Sequence, residues 1–244
     1  MRRALTFALM LVPALAGRAP AQPTATVRFK VGAWPDAAVL GAGAAAALVP
    51  ILWSSAFPSA TCAPCDPSHL WSLDRSTVGP VRKTPDVVSS ATLGAEAALG
   101  VLFLASSRRG QGTAAFAEDA TVIAEAVTLT SAATEWTKIL FHRPRPFLYV
   151  STSTGPSSAD DGRSFPSSHT SLAFAAAAAY ASVLHRRGLA GRDQLRIGAM
   201  FAAATATGIL RVVAHRHFPT DVVAGAALGF AIGWTVPALH ATLP

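Results

Sequence analysis

Six long apolar stretches, at roughly 36–57, 87–107, 116–141, 169–187, 194–215 and 219–241, dominate this chain of 244 residues. Each is close to the length of about 20 residues that a 30 Å hydrocarbon core requires of a helix. Alanine leads their composition, and β-branched clusters with the two-residue alternation of strands are absent. Hydrophobic residues make up 51% of the chain and charged residues 14%. The segments between are polar or rich in Pro and Gly, notably 58–86 and 143–166, and no internal repeat is visible. The chain therefore reads as all-α: a single bundle of about six helices, embedded in a membrane.

Ionisable residues inside those stretches constrain the packing. The segment 116–141 carries Glu118, Asp119, Glu125, Glu135 and Lys138, and 87–107 carries Glu96. Such groups are expensive in lipid, so they are expected to face the bundle interior or lie near its ends. Alanine-rich helices are also only weakly hydrophobic, and a soluble periplasmic bundle stays open as the alternative.

The leader Met1-Arg2-Arg3, the apolar run Ala4 to Ala16 and the small-residue pattern Ala19-Pro20-Ala21 fit a secretory signal peptide over residues 1–21, with an uncleaved anchor as the alternative. Cleavage would remove Arg2, Arg3 and Arg18, taking the formal charge from +7 to +4. The high isoelectric point thus belongs partly to the leader. No basic run with interleaved aromatics points to nucleic acid. Cys62 and Cys65 flank Ala63-Pro64, and in an exported helical chain this spacing favours a local disulfide over redox or metal chemistry. Residues 22–86 then form an N-terminal extension, and 87–244 the main domain.

Three segments share one chemistry. Lys138 with Arg145-Pro146, then Pro166-Ser167-Ser168-His169, then Arg211 with His217 and Asp221 supply three permanent cations, two imidazoles and a carboxylate. That set suits a phosphate ester: cations to hold a dianion, one histidine to attack phosphorus and one to protonate the departing oxygen. Pro166 to His169 opens an alanine-rich helix, where Ser167 or Ser168 is expected as N-cap and the same amides can cradle an anion. His217 falls in the turn before a helix that starts at Pro219, with Asp221 four residues on to orient a ring nitrogen. The sequence offers no metal-ligand cluster, and the reading requires no metal or cofactor.

These residues resemble the type 2 phosphatidic acid phosphatase family, whose superfamily also holds bacterial class A acid phosphatases and vanadium-dependent haloperoxidases. The resemblance covers roughly 87–240, and the run His217-Phe218-Pro219-Thr220-Asp221-Val222-Val223-Ala224-Gly225 resembles bacterial members most. It implies that His217 is a nucleophile forming a phosphohistidine, that Asp221 orients it, and that His169 is general acid and then base. It implies phosphoryl binding by Lys138, Arg145 and Arg211, helped by Ser167 and the backbone amide of Ser168. Two positions depart from the family pattern: Ser168 stands where Gly is usual, and Leu210 stands where Ser is usual.

The expected activity is metal-independent hydrolysis of phosphomonoesters or pyrophosphates, with phosphorylated lipids or small phosphate esters as substrates. A soluble non-specific acid phosphatase and a haloperoxidase are the alternatives within the superfamily, and a non-catalytic membrane scaffold the alternative outside it. Arg108-Arg109 and His185-Arg186-Arg187 with Arg192 and Arg196 lie on the side opposite the three segments, which by the positive-inside rule puts the site on the periplasmic face of the inner membrane. Segment 36–57, rich in Ala and Gly and broken by Pro50, is expected to lie against the bundle at its outer face, leaving five spans.

Overall fold

The computed structural model describes residues 27–108 and 112–242. The expected signal peptide, and Arg109 of the far-side basic cluster, lie outside the described residues. Six long helices account for the apolar stretches: α1 (Ala33–Leu52), α3 (Lys83–Ser107), α4 (Thr113–Phe141), α5 (Ser168–Arg186), α6 (Gln194–Val213) and α7 (Pro219–His240). A one-turn helix, α2 (Ser72–Arg75), sits in the first long linker. Strand was not expected, yet β1 (Arg28–Phe29) pairs antiparallel with β2 (Ala241–Thr242). The pairing occupies backbone groups just beyond the end of α7.

Helix α5 is the axis of the bundle. Ala173, Ala175, Ala177, Ala178, Ala179, Val183 and Leu184 are fully buried, and α4, α6 and α7 pack around it. Its closest neighbour is α7, for a reason written in the sequence. Gly225, Gly229 and Gly233 repeat every four residues and form a stripe down one face of α7. A Cβ on Gly229 would stand 2.1 Å from the Ser171 carbonyl oxygen, and one on Gly233 2.5 Å from that of Ala175. Only hydrogen at these positions allows the two backbones to approach so closely.

Among the described residues, four helices, α1, α3, α6 and α7, are long and apolar enough to cross a membrane. Their outer surfaces carry exposed large apolar residues, among them Val87, Leu102, Ile209, Val223 and Phe230, as a lipid-facing perimeter would. The ionisable groups turn inward as expected: Glu96, Asp119 and Glu125 are buried. At one end, Asp119 binds Arg108 and, at 2.7 Å, Arg187, whose guanidinium also reaches Glu118 at 2.8 Å.

Helix α1 does not rest across the outer end of the bundle. It runs parallel to α4 along its side, from Asp36 beside Glu125 and His240, past Gly43 against Thr128, to Ala46, whose carbonyl accepts the Trp136 indole N–H at 3.0 Å. Arg163, from the linker after α4, then donates to the Ser54 carbonyl just beyond its end. Pro50 sits in the last turn, where its missing N–H and kink disturb little of the helix.

Candidate active site

The C-terminal end of α4, the N-terminal ends of α3, α5 and α7, and the C-terminal end of α6 meet at one end of the bundle. Each helix terminus there is set by local chemistry. Helix α4 ends where His142 turns left-handed (φ 31°) and Pro144 follows. Helix α7 starts with Pro219 at its first position, and the Asp221 carboxylate accepts the Phe218 N–H at 2.9 Å. Ser167 is the residue capping α5, but its side chain makes no capping bond; its Oγ instead accepts the Thr170 hydroxyl at 3.0 Å.

His217 lies at the centre, 1% exposed, in the turn between α6 and α7. Its Nδ1–H donates to the Ser164 carbonyl at 2.8 Å, which leaves the Nε2 lone pair accepting from Arg145 Nη1 at 3.1 Å. Asp221 stands 3.6 Å from Nδ1, beyond hydrogen-bond reach. Its influence runs through Ser164, whose hydroxyl it accepts at 2.5 Å. The orientation expected from Asp221 alone is therefore shared with the Ser164 backbone.

The three cationic phosphate-binding candidates already hold carboxylates. Asp160 bridges Lys138 Nζ at 3.1 Å and Arg145 Nη2 at 2.5 Å, and the Arg145 Nε also donates to the Asp160 carbonyl. Lys138 reaches Glu135 at 3.1 Å, and the same Glu135 accepts the Ser168 hydroxyl at 2.8 Å. Arg211 binds Asp86 at 2.5 Å and Ser89 at 3.2 Å. His169, in the first turn of α5, lies 3.1 Å from the Ser90 hydroxyl of α3. Ser168 has ordinary helical backbone, so the Ser in place of the usual Gly meets no left-handed strain. The first-turn amides of α5, which have no acceptor within the helix, lie at the same end. All eight residues singled out in the sequence thus belong to one end of the bundle.

Electrostatics follow from this crowding. Burial, together with the charges of Arg145, Arg211 and Lys138, holds the His217 imidazole well below its ordinary value of 6.5, so it is neutral near pH 7. Burial works to raise the Asp160 carboxyl, but Arg145 and Lys138 outweigh it and hold the group well below the usual carboxylate range.

Several partners escaped the sequence reading. Arg143 donates to Asp221 at 2.6 Å, to Thr220 at 2.8 Å and to Asp74 at 2.8 Å. Asp74, from α2 in what reads as a linker, also accepts the Thr220 N–H at 3.2 Å. Asp86, Ser90, Asp160 and Ser164 were missed as well. Arg143 alone carried a signal, two positions before Arg145 in a repeated Arg-Pro.

No curated protein matches the sequence significantly. A transmembrane PAP2-type phosphatidylglycerolphosphate phosphatase from Bacillus subtilis is similar in structure, with 19% sequence identity, a TM-score of 0.47, and coverage of 84% of this chain and 94% of that one. A family model described as the PAP2 superfamily matches residues 119–243, about half of the sequence and all of α5, α6 and α7. The chain belongs to the PAP2 superfamily.

Proposed function

We propose that this membrane phosphatase hydrolyses phosphomonoesters or pyrophosphates of lipids, with His217 as the attacking group. The observation that carries this reading is the pairing of a neutral, tautomer-fixed imidazole with a cation cluster: the Nε2 lone pair of His217 and Lys138, Arg145 and Arg211. A phosphoryl group seated where the Asp160 carboxylate now lies would meet Lys138 and Arg145 on its oxygens. Those cations stabilise the charge that phosphoryl transfer spreads over the equatorial oxygens. Nε2 attacks phosphorus, forming the N–P bond as the ester P–O bond breaks, and His169 gives the departing oxygen its proton. The same His169 then takes a proton from water, whose oxygen displaces the imidazole and releases phosphate.

A lipid substrate is supported by an apolar cavity of about 460 Å³. Leu93 and Leu172, one turn beyond Ser90 and His169, belong to its wall, with Val101, Phe116, Ile123 and Met200 deeper. An acyl or isoprenoid tail placed there keeps its phosphate at the histidines.

Sidedness rests on two observations. The basic residues Arg108, Arg186, Arg187, Arg192 and Arg196 lie at the end opposite His217. Cys62 and Cys65 form a disulfide in the site-end linker, where the Cys65 N–H donates to the Leu148 carbonyl, and such a bond suits an oxidising compartment. Both support a periplasmic site.

The test is phosphate release in detergent from phosphatidic acid, phosphatidylglycerol phosphate, an isoprenoid pyrophosphate and p-nitrophenyl phosphate, with and without EDTA and vanadate. Turnover that survives EDTA, falls in vanadate and favours the lipids is expected. Strict dependence on a divalent metal, or halide oxidation with vanadate and peroxide in place of hydrolysis, overturns the reading.

A further inference from the structure

At the end opposite His217, α1, α4 and α7 bring together Asp36, Glu125 and His240, whose candidate ligand atoms all lie within 4.8 Å of one another. His240 Nε2 is 3.0 Å from Glu125 Oε2 and 3.2 Å from Asp36 Oδ1. The other ring nitrogen, Nδ1, donates to the Val236 carbonyl at 3.0 Å. That bond fixes the tautomer in which the Nε2 lone pair points at two carboxylates, an arrangement that repels unless a cation or a proton lies between them.

The charge balance points the same way. Among the described residues, His240 is the one ion-pair partner of either carboxylate. Glu125 is 1% exposed, and neither of its oxygens accepts a hydrogen bond. A buried carboxylate without a donor is costly, whereas a metal ion bound directly to its oxygens satisfies it. Asp36 is already oriented by the Gly32 N–H on its other oxygen, as ligating carboxylates commonly are.

We propose that Asp36, Glu125 and His240 bind a divalent transition-metal ion of the Zn²⁺ or Mn²⁺ kind, which clips α1, α4 and the end of α7 together. One imidazole and two carboxylates are a donor set that such ions accept. Bonds of about 2.0–2.2 Å place neighbouring ligand atoms about 3.0–3.5 Å apart, the range in which both nitrogen–oxygen separations fall. The His240 side chain, 19% exposed, marks the way in. Because the three ligands stand 89 and 115 positions apart in the chain, no spacing motif announces them.

This site does not rest on the phosphatase reading. Helix α7 alone, 22 residues long, holds the two ends about 33 Å apart. The experiment uses the full chain in detergent, stripped with EDTA, dialysed, and reloaded with Zn²⁺ or Mn²⁺. About one equivalent per chain should be retained by the native protein, falling at least tenfold in Glu125→Gln and Asp36→Asn. Added metal should raise the native melting temperature by about 5–10 °C and that of Glu125→Gln by less than a quarter of this. Phosphatase activity of Glu125→Gln within about twofold of native would show that it is folded. If neither variant folds, the metal-dependent shift of the native protein decides. No retained metal and no shift with either ion, or equal retention in Glu125→Gln, overturns the proposal.

Discussion

The carboxylate of Asp160 lies 2.5 Å from Nη2 of Arg145, on the same guanidinium whose Nη1 touches the His217 ring. Its second oxygen holds Lys138 at 3.1 Å, so this one half-exposed side chain occupies two of the three cations assigned to phosphate. On the proposed reading a substrate dianion displaces it.

Asp160→Asn should therefore bind anions more tightly. Hydrogen bonds to charged groups contribute about 1.5–3 kcal/mol, so a competitor of this kind weakens the substrate by roughly tenfold or more. The expected result is a lower KM and a lower vanadate inhibition constant, with kcat retained. A fall in kcat with a rise in KM would mean instead that Asp160 positions Lys138 and Arg145.

His217→Ala should abolish turnover and the acid-labile, alkali-stable label that a radiolabelled substrate leaves on the native enzyme. The sequence places His217 in a turn, where its loss would disturb little. It is in fact buried and hydrogen-bonded on both nitrogens, so truncation also strands the Ser164 carbonyl and destabilises by about 1–3 kcal/mol. The ring's depressed pKa has a pH consequence as well. Below 6.5 the unfolded chain takes up a proton at this position that the folded site refuses. The stability contribution is thus complete above that pH and declines as pH falls toward the folded-state value. Melting curves of native protein and His217→Asn should converge as pH is lowered through this window; parallel curves would contradict the assignment.

Which parts of this were legible in the sequence follows from how local each feature is. Helix existence was readable because alanine-led apolar runs of spanning length admit few alternatives, while the ends were set by Pro219, His142 and the Asp221 carboxylate. The eight motif residues were readable because they fall close together in sequence: Arg145 follows the last turn of α4 that holds Lys138, and Asp221 opens α7 four residues after His217. Arg143 and Asp74 were not, since their role depends on Thr220 and Asp221 arriving from a distant part of the chain. The course of α1 was misread for the same reason: its alanines and glycines look indifferent to lipid, but Gly43 and Ala46 fit against Thr128 and Trp136 of α4.

Arg143→Ala should be among the most damaging changes outside the three motifs. It removes the cation shared by Asp221, wholly buried, and Asp74, 3% exposed, leaving two carboxylates unpaired. Breaking a buried pair from one side costs about 3–5 kcal/mol. Thermal unfolding should show this, and Arg143→Ala with Asp74→Asn should recover part of the loss. No recovery in the double variant would mean that the Asp74 contact carries little.

Gly229→Ala tests the α5–α7 contact. The added methyl would stand 2.1 Å from the Ser171 carbonyl oxygen, a backbone atom that cannot rotate away. Helix separation should cost about 1–3 kcal/mol or more and shift the α7 start that carries Asp221, lowering kcat as well. Gly41→Ala on α1 meets nothing within 4 Å and should be neutral or stabilising, since alanine favours helix. Similar melting temperatures for the two variants would show that α7 can move aside freely.

Membrane sidedness can be read with two cysteines at opposite ends of the bundle. Ser157, exposed in the linker before α5, lies at the end that holds His217, and Gln194, exposed at the start of α6, lies at the other. The native Cys62 and Cys65 are joined and do not react with thiol reagents. In intact cells an impermeant maleimide should label Ser157→Cys readily and Gln194→Cys only after the inner membrane is broken. The course of α1 sharpens the outcome, because it runs from the closing ribbon at Arg28 to the site end. A spanning α1 with the site outside holds Arg28 inside, whereas a leader cleaved after Ala21 would deliver residue 22 outside, only six positions earlier. Labelling of Ser157→Cys from outside, joined to protection of a cysteine at Lys30, would favour a retained leader. Labelling of Gln194→Cys in intact cells would instead invert the bundle and put the phosphatase site in the cytoplasm.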